Sequence, residues 1–480
     1  MPIQDTQEFI IELEKQGELK RVKAEVNPDL EIAEILRREM YSNGPAILFE
    51  NVKGHTMPVL GNAFGSMKSL EIGLEMTDFT EIGHRITDMT KMDMPSGLLN
   101  KIKKLPELSK MTASFPKSES SGLVTEITST DASFDDLPII KSWPNDAGRF
   151  ITLGLIATKH PDTGIRNLGV YRMQIIDKTH ASMHWQKHKR GANHGDISKD
   201  RGEKIPAAII IGGEPATVFS SIAPVPEGLD KYLFAGITRK EGIKTVKCKT
   251  IDLDVPANAE IVLEGYVDPT DIRDEGPFGD HTGYYTPIEP YPTFTLTGIM
   301  RRKNPVYLTT VVGKPILEDA YIGKVIERSF LPLIRMLQPE VIDFSMPSAG
   351  WFQGLAIVSI KKRYPGQAKK VMMGLWGMGQ LALTKIIIVV DHDVNVHDMN
   401  EIIWAVTTKT DAARDTIIID NTPTDTLDPA SPRVNLGSKL GIDATQKTKE
   451  EGFEREIQEE VKVDVDTKKM VDSKWSSYGF

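Results

Sequence analysis

Two runs in the last third of the chain, LAIVSI (355–360) and KIIIVVD (385–391), carry apolar side chains at successive rather than alternate positions. A strand that is apolar on both faces must be covered on both, and parallel sheets with helices packed on each face meet that demand. Each run precedes a stretch of helical pattern, PGQAKKVMMGLWG and MNEIIWAVTT, and TIIIDN follows as a further strand. The segment 316–450 is therefore predicted to be an α/β domain on a parallel, helix-covered sheet.

The texture upstream differs. Between 121 and 315 the segments ITLGLIATKH, NLGVYRMQII, AAIIIGG and AEIVLEGYV read as short strands separated by turn signals. The pair FTLTGIMRR and PVYLTTVVG, joined at Lys303-Asn304, continues the series, which suits a barrel or a sandwich. Residues 1–120 read as an α/β region. DTQEFIIELEKQGEL has helical spacing, NPDLEIAEILRREMYSNG offers Asn27 as N-cap and Pro28 at the first helical position, and AILFENV follows as a strand. Residues 95–120, rich in Lys, Ser and Pro, look like a connection between domains. The last thirty, 451–480, are charged and helical in pattern, which fits a solvated tail or an arm on another subunit.

A formal charge of −9 with acids and bases interleaved argues against nucleic-acid binding, which recruits phosphates with a basic field. A single cysteine, Cys248, allows no internal disulfide and fits a reducing compartment. Residues 1–20 are acidic and amphipathic, so no signal peptide is expected, and the apolar runs are too short to span a bilayer. These features point to a soluble cytoplasmic protein.

Chemistry concentrates in EGPFGDHTGYY (275–285), where Glu275 and Asp280 flank a Gly-Pro-Phe-Gly turn. Arg172, in the apolar run NLGVYRMQII, needs a carboxylate partner if buried, and these two acids are the candidates. One arginine between two acids separates an acid from a base by environment. Asn167 and Arg172 are five apart and face opposite sides of a regular strand, so a common site requires a bulge or twist, with Gly169 the natural place.

HWQKHKRG (184–191) places His184 and His188 four apart, on one face of either a helix or a strand. Trp185 stands where a zinc protease needs glutamate, so that reading fails. A metal ligand, a pair of donors to an anion, or a solvated basic loop remain, and Arg190 with Gly191 suits phosphate contact. VVDHDVNVHD (389–398) reads as a helix N-terminus rather than a cation loop. GEPATVFSSIAPVP carries no nucleotide fingerprint, and Cys248 reads as a small buried residue.

NLGVYR, HWQKHKRG, VPANAEIVLEGYV leading into EGPFGDHTGYY, GQAKKVMMGLWG, WAVTTKTDAARD and LGSKLGIDATQK, in this order, resemble the UbiD family of decarboxylases. The resemblance runs from QGELKRV almost to residue 450 and is closest to the 3-polyprenyl-4-hydroxybenzoate decarboxylases of ubiquinone synthesis. It implies a central split β-barrel binding prenylated FMN, between an N-terminal α/β region and a C-terminal α/β domain. The cofactor comes from a separate flavin prenyltransferase, and its phosphate is held through a divalent metal, usually manganese, with potassium. The reaction implied is reversible decarboxylation of an aromatic or α,β-unsaturated acid. A polyprenylated substrate would bring the protein to the membrane surface. Homodimers or homohexamers are implied, with the C-terminal arm reaching a neighbour.

Residue by residue, the resemblance gives Arg172, Glu275 and Asp280 as the Arg–acid–acid network, with Asp280 as proton donor. Asn167 and His188 stand at metal-ligand positions. Asn167, Val170, Tyr171, Arg172, His184, Trp185, Gln186, Arg190 and Gly191 stand at cofactor positions. A donor needs a pKa raised towards working pH, and an apolar, aromatic-lined pocket supplies that direction. One position departs: Lys231 in GLDKYLFAG replaces the family's glutamate ligand, and protonated lysine cannot ligate manganese. Asp230 taking over, or the Lys231 ammonium neutralising the cofactor phosphate, are the two ways to close the site. The readings that compete with the ubiquinone substrate are the decarboxylation of trans-anhydromevalonate 5-phosphate, in the archaeal mevalonate route, and a flavin-binding homologue without turnover.

Overall fold

The computed structural model describes residues 2–90, 112–186, 190–225, 228–456, 458–461 and 463–479. The predicted connection at 95–120 therefore lies largely outside the described residues. The N-terminal region opens with helix Thr6–Lys15, capped by Asp5, whose carboxylate accepts from the amides of Gln7 and Glu8. Its face Phe9, Ile10 and Leu13 is buried. The second helix starts later than its sequence signals suggest, at Glu31, with Leu30 in the capping position. Asn27 does not cap it: its side chain accepts from the amide of Asp29 (3.0 Å), closing an Asx turn, while Glu31 takes the amide of Asn27 (2.7 Å).

The central region is an antiparallel sheet in the order His180–Ser182, Glu289–Arg301, Ile261–Glu275, Ile205–Ile211, Leu155–Lys159, Arg166–Val170, with Ile127–Ser129 added beside Glu289–Arg301. The described strands form an open sheet and close no barrel. Helices Arg190–Arg201, Pro215–Ile222 and Lys231–Arg239, absent from the strand-rich reading of this segment, join it. The expected hairpin across Lys303-Asn304 does not form. Tyr307–Leu308 instead pairs in parallel with Val59–Leu60 and ties the central region to the N-terminal sheet.

The C-terminal sheet runs Val341–Ser345, Leu355–Ile360, Ile386–Asp391, Leu436–Ala444, Thr416–Pro423. Its three inner strands are parallel, as the apolar runs of Leu355–Ile360 and Ile386–Asp391 require. Leu436–Ala444 joins them without such a run, and both edges, the predicted strand TIIIDN among them, are antiparallel. Helix Gln367–Trp376 packs into the core on one face, and Met399–Lys409 into a second core that includes Val390 and Ala444. Asp398 caps the latter helix through the amide of Asn400 (2.8 Å), so VVDHDVNVHD is a capping loop. Helix Val465–Lys474 in the tail has no buried residue. Cys248 is buried, and burial pushes its thiol up, away from a reactive thiolate.

Candidate active site

The run NLGVYRMQII is not one strand. It pairs regularly through Gly169 as far as Val170, breaks, and resumes at Met173–Gln174 beside Phe150–Ile151 in another sheet. Arg172 sits in the break. That break, rather than a bulge at Gly169, lets Asn167 and Arg172 escape strict alternation.

Glu275 is the last residue of the strand Ile261–Glu275, and the turn that follows is held from several sides. The Gly276 amide donates to Gln174 Oε1 (2.8 Å), that of Phe278 to Thr286 Oγ1 (3.2 Å), and that of Gly279 to Asp146 Oδ1 (2.8 Å). Gly276 has φ +98°, and a Cβ there would lie 2.8 Å from the carbonyl oxygen of Pro287, so only glycine fits. The turn thereby fixes the separation of the two acids.

Arg172 reaches both. Its Nε donates to Glu275 Oε1 (2.8 Å), its Nη1 to Asp280 Oδ2, and its Nη2 to Thr286 Oγ1 (3.3 Å). The guanidinium lies 4.8 Å from the centre of the Phe278 ring, which packs on Phe150. Glu275 also takes Ser182 Oγ (3.2 Å) and lies 3.1 Å from His184 Nδ1. Arg172, Glu275 and Asp280 are 9%, 1% and 5% exposed, so the network is screened from water.

The protonation states differ from expectation. Burial alone would raise both acids, but Arg172, then His184, holds Glu275 below its ordinary value. At Asp280 burial is again outweighed, here by the adjoining His281 imidazolium and then by Arg172, and the carboxyl lies well below the usual range. The sequence-based expectation of a raised Asp280 is corrected accordingly: two cations overcome desolvation. His184, buried and beside Arg172, is pushed towards its neutral form.

Next to this network lies a cavity of about 790 Å³. Gly169, Val170 and Tyr171 form part of its wall, with Pro224, Lys231 and Asp319. Ile322, Phe330, Leu333, Phe344, Met346 and Leu381 make much of the rest apolar. The Tyr171 hydroxyl accepts from the amide of Gly191 (3.3 Å) and from Asn167 Nδ2 (3.4 Å), bringing three sequence-predicted cofactor residues together. Arg190, at the start of its helix, is committed to the Val225 carbonyl (2.9 Å), and Gln186 is half-buried. His184 Nε2 and Trp185 Nε1 are buried with no partner among the described residues. Orphaned ring nitrogens suit a heterocyclic ligand with acceptors and donors along its edge, although neither His184 nor Trp185 belongs to the wall of this cavity.

Three sequence models of UbiD, described as 3-octaprenyl-4-hydroxybenzoate carboxy-lyase domains, match residues 10–86 (N-terminal domain), 117–315 (Rift-related domain) and 320–444 (C-terminal domain). The chain belongs to the UbiD family. Full-length UbiD relatives include an uncharacterized protein of Archaeoglobus fulgidus, 50% identical over 477 residues, covering 99% of this chain and 98% of that one. Another, from Aeropyrum pernix, is 46% identical over 484 residues, covering 100% and 99%.

Among solved structures, the closed form of vanillic acid decarboxylase from Sedimentibacter hydroxybenzoicus superposes with TM-score 0.86 at 27% identity, covering 98% of both chains. The UbiD-class enzyme HmfF of Pelotomaculum thermopropionicum, in complex with FMN, gives 0.80 at 28% identity, covering 98% and 99%. An evolved dimeric HmfF carries prenylated FMN (TM-score 0.79, 26% identity, covering 98% and 99%). The family models are described as carboxy-lyase domains and the vanillic acid enzyme is a decarboxylase; this UbiD chain is a carboxy-lyase.

The cavity wall and the orphaned nitrogens fit a flavin. Manganese fares differently. Among the described residues no group of three His, Cys, Asp or Glu side chains is arranged to hold a metal. His188 lies outside the described residues. Asp230 is already committed: it caps helix Lys231–Arg239 through the Tyr232 amide (2.7 Å) and pairs with Arg166 (2.8 Å). Lys231 Nζ donates to the Ser221 carbonyl (2.7 Å) on the cavity wall. The described donor set therefore does not fit a divalent cation.

The sequence reading missed the role of His281, although it stands inside the quoted motif. It missed Asp319 altogether, because nothing local marks that residue.

Proposed function

We propose that this UbiD chain decarboxylates an aromatic or α,β-unsaturated acid with an apolar body, of which 3-polyprenyl-4-hydroxybenzoate is an example. The observation that carries this is the cavity, whose described wall is apolar over most of its extent, with Lys231, Asp319 and Glu327 as its charged residues. Prenylated FMN, when bound, supplies the electron sink that no side chain provides. Val170, Tyr171, His184, Trp185, Gln186, Arg190 and Gly191 are the residues proposed to hold it, and Lys231, which donates to the Ser221 carbonyl, is the cation proposed to face its phosphate. Arg172 orients the substrate carboxylate region and keeps Glu275 ionised. Asp280 is the proposed proton donor to the carbon that loses CO₂. Burial of the network excludes water, so the electron pair left behind meets a directed proton.

A second reading has its own support. Lys231 puts a cation where the family has a glutamate, and two full-length relatives come from archaea. A phosphorylated substrate such as trans-anhydromevalonate 5-phosphate would use that cation. The test is common to both readings. Protein co-expressed with a flavin prenyltransferase is incubated with a panel of acids, and CO₂ release is measured. Release from a 3-polyprenyl-4-hydroxybenzoate supports the first reading, and release confined to the phosphorylated acid replaces it with the second. A protein that binds flavin and turns over nothing on the panel sinks both.

A further inference from the structure

Decarboxylation of a carboxylate consumes one proton: R–COO⁻ and H⁺ give R–H and CO₂. A donor placed between two cations starts without a proton to give. Asp280 is such a residue, with Arg172 Nη1 on Oδ2 and His281 Nδ1 3.0 Å from Oδ1. Arg172 cannot serve as the source, because a guanidinium does not deprotonate in a protein. The other acidic hydrogen on the carboxylate is the one at His281 Nδ1.

We propose that the proton delivered through Asp280 is stored on His281, so that the Asp280–His281 pair, rather than Asp280 alone, is the acid of this enzyme. This rests on the reading of Asp280 as donor.

The surroundings of His281 favour a charged ring. The charged groups that face it are Asp280, Asp319 at the start of helix Glu318–Leu337, and Asp425, with Arg172 on the far side of Asp280. Trp351 and Phe352 place their rings 6.1 and 5.2 Å from the imidazole centre. Burial would lower the imidazole, but Asp280, then Asp319 and Asp425, reverses this and raises it to about 9. Nε2 is buried and has no partner among the described residues, so its hydrogen-bonding capacity is not spent on holding the ring in place.

The step balances. The Nδ1–H bond of the imidazolium breaks as an Oδ1–H bond forms on Asp280, leaving the ring neutral. Asp280 passes that proton to the electron pair left by CO₂ and returns to carboxylate. One proton from solvent restores the ring.

The test compares kcat/KM against pH for flavin-loaded wild type, His281→Gln and Asp280→Asn. Wild type is expected to lose activity above about pH 9. In His281→Gln the proton must sit on Asp280 itself, so the alkaline limb moves down by at least one unit, about a tenfold loss at a fixed pH above both midpoints. An unmoved limb overturns the proposal. Asp280→Asn is expected to lose about 10²–10⁴-fold at every pH; near-wild-type activity there removes Asp280 as donor, whatever His281→Gln does.

If His281→Gln has no measurable turnover, ¹⁵N NMR of histidine-labelled wild type decides. The His281 resonances are assigned by their loss in the variant. An imidazolium signature at pH 7–8 that disappears in Asp280→Asn supports the proposal, and a neutral ring in wild type overturns it.

Discussion

Two of the buried networks of opposite charges among the described residues differ in what they leave unspent. In the C-terminal domain Lys447 is 3% exposed, and its ammonium donates to the Asp443 carbonyl (2.8 Å), the Thr445 carbonyl (2.7 Å) and Asp443 Oδ1 (3.1 Å). Asp443 takes the amide and hydroxyl of Thr445 as well, and Asp415 takes Arg414 and the amide of Asp411. Every ammonium hydrogen there is used. Around Arg172 the ion pairs are as close, yet His184 Nε2, Trp185 Nε1 and His281 Nε2 find no described partner. Buried charge alone therefore does not mark a site. Unspent hydrogen-bonding capacity is what sets the Arg172 network apart from the one at Lys447.

The comparison breaks most sharply at Asp280. Asp280→Asn keeps the shape of the side chain and its neighbours but removes the carboxylate from the route of the proton. Turnover should fall by about 10²–10⁴-fold, the usual worth of a positioned acid. The flavin spectrum of the loaded protein should be retained. A variant that turns over at the wild-type rate would make the Arg172 network as structural as the one at Lys447.

The converse experiment is Lys447→Met. It leaves Asp443 and Asp415 buried without their cation, which costs about 3–5 kcal/mol when one partner of a buried pair is deleted. Urea titration should show that loss, while kcat per folded, flavin-loaded molecule stays unchanged. A drop in kcat at unchanged stability would reverse the roles assigned to the two networks.

This contrast also explains what the sequence could and could not reveal. The inner strands Leu355–Ile360 and Ile386–Asp391 were legible because burial on both faces leaves a continuous apolar run. The third, Leu436–Ala444, was not, because glycines and polar residues interrupt it. The antiparallel edges Val341–Ser345 and Thr416–Pro423 were not, since pairing direction leaves no local mark. Glu275 and Asp280 stood out because a tight turn does not need two acids. The break after Val170 did not, because it exists to let Arg172 reach a carboxylate 103 residues away. His281 was visible as a letter in the motif, but its state depends on Trp351, Phe352, Asp319 and Asp425, which only the folded chain brings to it.

A third prediction sharpens the comparison through pH. His194, 4% exposed and 3.0 Å from Thr158 Oγ1, is held down to about 4, first by burial and then by His160 and Arg190. Between its unfolded value of about 6.5 and 4, the unfolded chain binds a proton that the native ring refuses. Stability is thus lost as pH falls through this window, by up to roughly 3 kcal/mol. His194→Gln should flatten the slope of urea midpoints between pH 7 and 5. An unchanged slope would mean that the ring is already charged in the native state.

The smallest effect on the fold, and the closest probe of the orphaned nitrogens, comes from Gly191. A Cβ at this position would lie 2.6 Å from Trp185 Nε1, and Gly195 lies against the same indole. Gly191→Ala must therefore displace the ring, at an overpacking cost of about 1 kcal/mol if the indole can shift. The displacement moves an N–H that has no described partner, so the folded chain loses no hydrogen bond by it. The loss should appear instead in the ligand: flavin affinity, followed by fluorescence titration of the apo protein, is expected to weaken by more than the change in stability accounts for. Equal losses in the two measurements would make Trp185 a packing residue. That result would leave His184 Nε2 as the orphaned nitrogen beside the Arg172 network that argues for a flavin.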